Sequence, residues 1–183
     1  MGNSIVERLI EGNRRSLTAT QNPGEYSPAL RRETAENGQH PFAIVICCAD
    51  SRVVPESIFS VGLGELFVIR IAGNVLDAHQ LGSIEYAAAH LGCRLILMLG
   101  HTGCGAVSAA LSGHSEGYIR YLTDEIRKAI GEERDPDAAC RLNVLHGVET
   151  IRQAFREHPE IPTSELDIRG AVYDIRSGNV EWL

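Results

Sequence analysis

The sequence predicts an α/β fold with a mostly parallel central sheet of four to five strands flanked by helices. Three short, nearly continuous apolar runs, typical of strands that are buried on both faces, lie at residues 42–48, 66–70 and 94–99. Stretches with helical periodicity separate these runs, and strands that alternate with helices form parallel sheets. The composition agrees, because 44% hydrophobic and 22% charged residues are ordinary for a globular protein.

The predicted helices have recognisable start and stop residues. The clearest one is capped by Asp77 and ends at Leu91, directly before Gly92. Further helices are predicted at residues 103–111, 117–130 and 136–155, and a terminal hairpin is predicted at residues 166–175 and 179–183.

The amino-terminal part differs from the rest, because it contains helical patterns but no strand. An amphipathic helix is predicted over residues 3–19, and a second short helix follows Pro28 over residues 29–36. A chain of 183 residues fits one domain. We therefore expect a single domain over residues 1–183, with a helical arm at 1–36 and a sheet-and-helix core at 42–183.

Charge and hydropathy argue against two classes of partner. The chain has 17 Lys and Arg against 24 Asp and Glu, a net charge of −7, which does not favour nucleic acid. The longest apolar run, residues 42–49, is far shorter than the ~20 residues of a membrane span. No apolar signal region is evident at the amino end, so we expect a cytoplasmic protein without nucleic-acid or membrane partners. Its five cysteines are then ligands, nucleophiles or core residues rather than disulfides.

Two predicted strands are followed by soft metal ligands. The first ends at Cys48, and the third is followed by His101 and Cys104. The carboxyl ends of parallel strands meet at one edge of a sheet, so these three side chains can converge. Two thiolates and one imidazole suit a tetrahedral Zn²⁺ that keeps its fourth position for water, which is the arrangement of a catalytic site.

The other cysteines do not fit this pattern. Cys93 follows His90 with the same His-x-x-Cys spacing, but it precedes the third strand and lies ~20 Å from the end that carries His101. We interpret His90 as a helix-terminal residue and Cys93 as a small core residue. Cys47 faces away from Cys48 because strand side chains alternate, and Cys140 is expected to pack inside a helix.

Asp50 and Arg52 form a second candidate pair. Asp50 lies two residues after Cys48 and therefore points to the same side, where Arg52 can clamp its carboxylate. Spacing alone is equally compatible with a structural ion pair. Chemistry favours a catalytic role, because two thiolates cancel the charge of the metal and a bound hydroxide then needs an acceptor to orient it.

The motif CADSR at residues 48–52, followed about fifty residues later by His-x-x-Cys, resembles the signature of the β-class carbonic anhydrases. The likeness extends over nearly the whole chain, through residues 38–41, 64–70, 72–74, 83–87, 100–105 and 170–174. The resemblance implies one zinc ion per subunit on Cys48, His101 and Cys104, and a catalytic dyad of Asp50 and Arg52.

The same resemblance implies a substrate pocket and an assembly. Gln39, Phe67, Tyr86 and Gly105 would bind substrate in a homodimer or a higher even-numbered oligomer, with the amino-terminal arm packed on the partner subunit. Gln39 and Phe67 would then act across the subunit interface. From the pattern alone, Gln39 is a solvated loop residue, and Phe67 and Tyr86 belong to the core.

The chain departs from the family pattern at one position near the end of the second strand. Ile71 replaces a residue that is usually polar in the family. The Ala-Gly-Asn stretch that follows, residues 72–74, resembles the form of the family in which the aspartate equivalent to Asp50 does not bind the metal, so that the site is open.

The resulting hypothesis is a carbonic anhydrase, a lyase that hydrates carbon dioxide reversibly to bicarbonate and a proton by means of a zinc-bound hydroxide. One alternative keeps the same zinc site but hydrolyses carbonyl sulfide or carbon disulfide. An alternative of another class is a non-catalytic, zinc-stabilised dimeric binding module, or a redox sensor built on Cys47 and Cys48. The redox-sensor hypothesis is weakened because neighbouring side chains in a strand, here Cys47 and Cys48, point to opposite faces of the sheet.

Overall fold

The computed structural model describes residues 2–161 and 163–183, and a five-stranded sheet forms its centre. The strands are β1 (Ala43–Cys47), β2 (Leu66–Arg70), β3 (Leu95–His101), β4 (Asp167–Tyr173) and β5 (Val180–Trp182). Their order is β2-β1-β3-β4-β5, and all neighbours are parallel except β5, which is antiparallel to β4. The predicted α/β class, the mostly parallel sheet and the terminal hairpin are thus confirmed.

Seven α-helices surround the sheet in the described ranges. They are α1 (Gly2–Ser16), α2 (Pro28–Asn37), α3 (Pro55–Ile58), α4 (Ala78–His90), α5 (Gly105–Leu111), α6 (Ile119–Ile130) and α7 (Pro136–Ala154). The predicted cap of α4 is confirmed, because Asp77 and Gln80 form a reciprocal capping box. The sequence did not predict α3 or the 3-10 turns at Ala72–Asn74 and Thr163–Glu165, because such short elements carry no periodic pattern. None of the described helices has the length and hydropathy that a membrane crossing requires.

Two apolar layers cover the sheet, one on each face. The layer under α4 and α7 contains the strand residues Ile44, Ile46, Ile69, Ile96, Met98, Ile168 and Val172. The layer under α1 and α3 contains the strand residues Ala43, Val45, Cys47, Leu66, Leu95, Leu97, Leu99 and Ala171. Every residue of β1 and β3 is buried, which explains why their sequences are continuous apolar runs rather than alternating patterns.

A third apolar cluster lies beyond the carboxyl ends of β1 and β3 and contains residues of α5, α6 and α7. Helix α7 approaches β3 closely at Gly100, where an added β-carbon would lie 2.5 Å from a methyl carbon of Val144. Glycine is therefore required at this crossing. The cluster includes Cys48 and Cys104, so both thiols lie in apolar surroundings at the carboxyl edge of the sheet.

Helix α1 is anchored on its own chain. Leu9 is fully buried against the sheet. The side-chain amide of Asn13 donates to the carbonyls of Ile58 and Gly178, and its oxygen accepts from the backbone N–H of Val180. By contrast, α2 buries none of its residues within the described chain. The division into an arm and a core, and the packing of the arm on a partner, stay predictions.

The docking of α1 can be tested with two glycines that both lie inside helices. An added β-carbon at Gly12 would overlap the backbone carbonyl of Phe59, whereas Gly82 in α4 has open space around it. We expect Gly12→Ala to lower the free energy of unfolding by about 1–3 kcal/mol through overpacking. Gly82→Ala should raise it by about 0.5–1 kcal/mol, because alanine loses less backbone entropy in a helix. Urea unfolding at one protein concentration measures both, and equal stability of wild type and Gly12→Ala would contradict this docking.

Candidate metal centre

The three predicted ligands come together where two neighbouring strands end. Strands β1 and β3 pair in parallel with Cys47 opposite Leu99, so Cys48 lies beside the end of β3, where His101 is the last residue. Cys104 follows as the N-cap of α5. One possible ligand atom from each of Cys48, His101 and Cys104 lies within 4.8 Å of the others, and all three residues are buried. Within the described ranges, these residues form the group of His, Cys, Asp or Glu side chains that could hold a metal ion.

The donor atoms fit a tetrahedral zinc ion. Two sulfurs bound to zinc at ~2.3 Å lie ~3.8 Å apart in a tetrahedron, and the sulfurs of Cys48 and Cys104 are separated by 4.0 Å. Nδ1 of His101 donates to the carbonyl of Thr102 at 2.9 Å, which leaves Nε2 with a free lone pair. Among the described residues, this Nε2 is the buried side-chain nitrogen or oxygen that has no hydrogen-bond partner. A metal ion would satisfy it.

The surroundings of Cys48 favour a thiolate. Its sulfur accepts hydrogen bonds from the backbone N–H groups of Gly73 at 3.2 Å and Asp50 at 3.4 Å. The hydrogen bond from the Cys104 thiol, together with those from the backbone N–H groups of Gly73 and Asp50, lowers the pKa of Cys48 even though burial opposes this. A thiolate is the form of cysteine that binds metal.

Asp50 and Arg52 form the ion pair that the sequence predicts. Oδ1 of Asp50 accepts from Nε of Arg52 at 3.0 Å and from its backbone N–H at 2.9 Å, and Oδ2 accepts from Nη2 at 2.7 Å. These hydrogen bonds from Arg52 hold the pKa of the Asp50 carboxyl well below its usual range. The Asp50 carboxylate therefore pairs with Arg52, and Asp50 is not a member of the group of side chains that could hold a metal ion. Its catalytic role stays a prediction.

Arg70 lies at the site, although its sequence pattern gave it no predicted role. It is the last residue of β2, and its guanidinium donates to the backbone carbonyls of Cys48 at 3.3 Å and Asp50 at 2.7 Å. Arg70 thus supports the segment 48–50, which carries the predicted ligand Cys48 and the carboxylate of Asp50. A charged residue at the carboxyl end of an otherwise apolar strand was the signal that could have identified it.

The apolar substitution at Ile71 leaves the backbone pairing intact. The N–H of Ile71 donates to the carbonyl of Cys47 at 3.1 Å, and its own carbonyl accepts from Ala49 at 3.2 Å. The Ile71 side chain packs against the third apolar cluster. Packing thus takes the place of any side-chain hydrogen bond at this position.

The four predicted substrate residues are not all near the metal ligands of their own chain. Gly105 is exposed and directly follows Cys104. Phe67 lies level with Ile44 in the sheet, four residues before Cys48 and therefore ~13 Å away along the strand. The ring of Tyr86 lies 6.2 Å from that of Phe67. Gln39 is exposed and precedes β1, at the end of the strand opposite to Cys48.

The remaining cysteines are buried and separate from the ligand group. Cys47 belongs to the apolar layer under α1, and Cys93 donates to the carbonyl of Pro41 at 3.1 Å. Cys140 packs inside α7 as expected, but its thiol also donates to the carbonyl of His101 at 3.2 Å. Burial raises the pKa of Cys47 to about 12, and of Cys93 and Cys140 to about 11.

Comparison with known proteins identifies the family. Residues 43–180 match a family model described as carbonic anhydrase. The crystal structure of the β-carbonic anhydrase CafA from Aspergillus fumigatus superposes with a TM-score of 0.72 at 29% identity, covering 85% of this chain and 81% of that one. The chain belongs to the β-carbonic anhydrase family. The predicted family resemblance is therefore confirmed.

Relatives of this β-carbonic anhydrase homologue include two mycobacterial proteins. Carbonic anhydrase 2 of Mycobacterium tuberculosis is 42% identical over 127 residues, which cover 67% of this chain and 61% of the relative, less than two thirds of its length. The carbonic anhydrase of Mycolicibacterium smegmatis is 36% identical over 162 residues, covering 82% and 79%. Tetrameric β-carbonic anhydrases from Sordaria macrospora have a TM-score of 0.69 at 28% identity, covering 99% of this chain and 97% of that one. The family is zinc-dependent, which agrees with the donor set found here.

The ligand group predicts a selective pattern of thiol alkylation. Cys48 and Cys104 are flanked by the exposed residues Ala49, Gly103 and Gly105, and hydrogen bonds lower the pKa of Cys48, whereas burial raises the pKa of Cys47, Cys93 and Cys140. We expect iodoacetamide to modify Cys48 and Cys104 after chelator treatment and to modify neither before it. Peptide mass spectrometry identifies the sites. Modification of Cys47, Cys93 or Cys140 before Cys48 would contradict this assignment.

Proposed function

We propose that this chain catalyses the reversible hydration of carbon dioxide to bicarbonate and a proton, with a zinc ion held by Cys48, His101 and Cys104. The observation that carries the proposal is the buried, unpaired Nε2 of His101 beside two cysteine sulfurs. Membership of the β-carbonic anhydrase family supports the reaction, and the donor set supports the metal.

The chemistry divides between the metal and the dyad. When bound by three protein ligands, zinc supplies Lewis acidity that lowers the pKa of a water molecule at its open position. Asp50, kept ionised by Arg52, can only accept hydrogen bonds. It would therefore accept a hydrogen bond from the O–H of the attacking oxygen, so that a lone pair of that oxygen is directed at the carbon of the substrate. Arg52 stays charged at any working pH and so maintains this carboxylate.

The substrate pocket is proposed to be completed by a second copy of the chain, in a homodimer or a higher even-numbered oligomer. Gln39 and Phe67 lie away from the metal ligands of their own chain, which supports a role for them in a neighbouring site. Helix α2 buries nothing in the single described chain, and Tyr86, which contacts Phe67, is 49% exposed. These uncovered surfaces support an interface at which Gln39, Phe67 and Tyr86 bind substrate beside Gly105.

Two substitutions test the metal and the dyad separately. Cys104→Ala should lose both bound zinc and CO2 hydration, because it removes a ligand. Asp50→Asn should keep the zinc and lose turnover by at least ~10²-fold, because the amide cannot replace the carboxylate as a pure acceptor. Stopped-flow hydration with a pH indicator measures turnover, and elemental analysis measures zinc.

Cys93→Ala is the matched control, since it also removes a buried thiol but not a ligand, and it should keep both zinc and activity. Hydration above the buffer rate by zinc-free Cys104→Ala protein would refute the mechanism. Sulfide release from carbon disulfide without hydration of CO2 would instead favour the sulfide-releasing alternative.

A mixed oligomer tests whether the pocket forms across the interface. One subunit carries Cys104→Ala and keeps Gln39, and the other carries Gln39→Ala and keeps all three ligands. We expect Gln39→Ala alone to lose at least ~10-fold in kcat/KM through poorer positioning of substrate. Co-expressed mixed dimers, purified through two different tags, should regain activity because one site per dimer has both parts. Mixed dimers as inactive as the two parents would show that Gln39 acts within its own chain or not at all.

A further inference from the structure

The inner face of α7 carries two buried polar side chains that the proposed reaction does not use. Cys140 is 3% exposed and Asn143 is 5% exposed. They lie three residues apart, on the same side of the helix. Their buried neighbours on α7 are apolar: Ala139, Val144, Gly147, Val148 and Ile151. A buried polar group requires a hydrogen-bond partner, so the partners of these two residues indicate what they do.

Cys140 contacts the turn that carries two of the ligands. Its thiol donates to the backbone carbonyl of His101 at 3.2 Å. One side chain of α7 therefore holds the backbone of the ligand residue His101, at the start of the His101–Cys104 segment.

Asn143 reaches the third ligand through one intervening residue. Its side-chain amide donates to the carbonyl of Gly73 at 2.8 Å, and the N–H of Gly73 donates to the sulfur of Cys48 at 3.2 Å. Gly73 has a φ of 71°, in the left-handed region that favours glycine. An added β-carbon would lie only 2.8 Å from Ile126. The Gly73 backbone thus has a conformation that favours glycine, and Asn143 binds its carbonyl group. Together these fix the direction in which the Gly73 N–H points toward the sulfur of Cys48.

We propose that Cys140 and Asn143 are positioning residues for the metal: α7 uses them to hold the His101–Cys104 turn and the donor to Cys48 at the spacing that zinc requires. The proposal rests on the proposed function in one respect, namely that the group binds zinc. Residues that hydrogen-bond to metal ligands without touching the metal fix the orientation of those ligands, and their loss usually weakens metal binding. A residue that only fills the core would affect stability but not the affinity for the metal.

The experiment measures zinc affinity by competition with a chelator, and coordination by the visible spectrum of the cobalt-substituted protein. Asn143→Leu keeps a similar volume but removes the donor to Gly73, and Cys140→Ala removes the donor to His101. We expect each to weaken zinc binding by ~10–100-fold and to change the cobalt spectrum. Cys140→Ser keeps an O–H donor at the same position and should recover part of the affinity. It also provides a milder variant if the alanine protein folds poorly.

Val148→Ala is the matched control, because Val148 is 4% exposed on the same helix and makes only apolar contacts in its cluster. It should lower the urea midpoint without changing zinc affinity. The proposal is overturned if Asn143→Leu and Cys140→Ala bind zinc as tightly as wild type with an unchanged cobalt spectrum, or if Val148→Ala weakens binding equally. Failure of the wild-type protein to bind zinc would overturn the proposed function itself, which is a different result.

Discussion

The parallel register between β1 and β3 is the constraint on which the site depends. It sets Cys47 opposite Leu99, so the residues that follow the two strands meet at one edge. A shift by a single residue would turn Cys48 toward the opposite face of the sheet. Both strands are buried on both faces by separate apolar layers, so any such shift would misplace two sets of core side chains at once. The same packing that stabilises the sheet therefore fixes the ligand spacing.

Charge balance makes a buried ligand group of this kind tolerable. An isolated buried anion is costly unless hydrogen bonds or opposite charges compensate it. Two thiolates would match the charge of a divalent ion when one is bound, and Asp50 matches Arg52. The backbone N–H of Gly73 donates to the sulfur of Cys48, and the guanidinium of Arg70 donates to the backbone carbonyls of Cys48 and Asp50. Each of these charged groups thus has a hydrogen-bond partner, although the third cluster is apolar.

The single chain exposes the parts that the proposed assembly needs. Asn13 of α1 is hydrogen-bonded to the carbonyls of Ile58 and Gly178, so α1 is held on its own chain. Helix α2, in contrast, buries none of its residues in the described chain. Phe67 lies on β2, which is an edge strand of the sheet, and contacts the half-exposed Tyr86. Uncovered edge strands are a liability that proteins usually cover. A second copy seated on this side would cover β2 and bring Phe67 toward a neighbouring metal group.

Local patterns in the sequence were enough to define the strands, the cap of α4, the ligand triad and the Asp50–Arg52 pair, because each depends on spacing within a few residues or on the convergence of strand ends. The contacts of Arg70, Cys140 and Asn143 were decided only by the tertiary structure. Cys140 is 39 residues from His101, and Asn143 is 70 residues from Gly73. The sequence of one helix does not indicate which backbone groups its buried polar side chains will contact. That depends on how α7 crosses β3 at Gly100, which only the packing of the whole core determines.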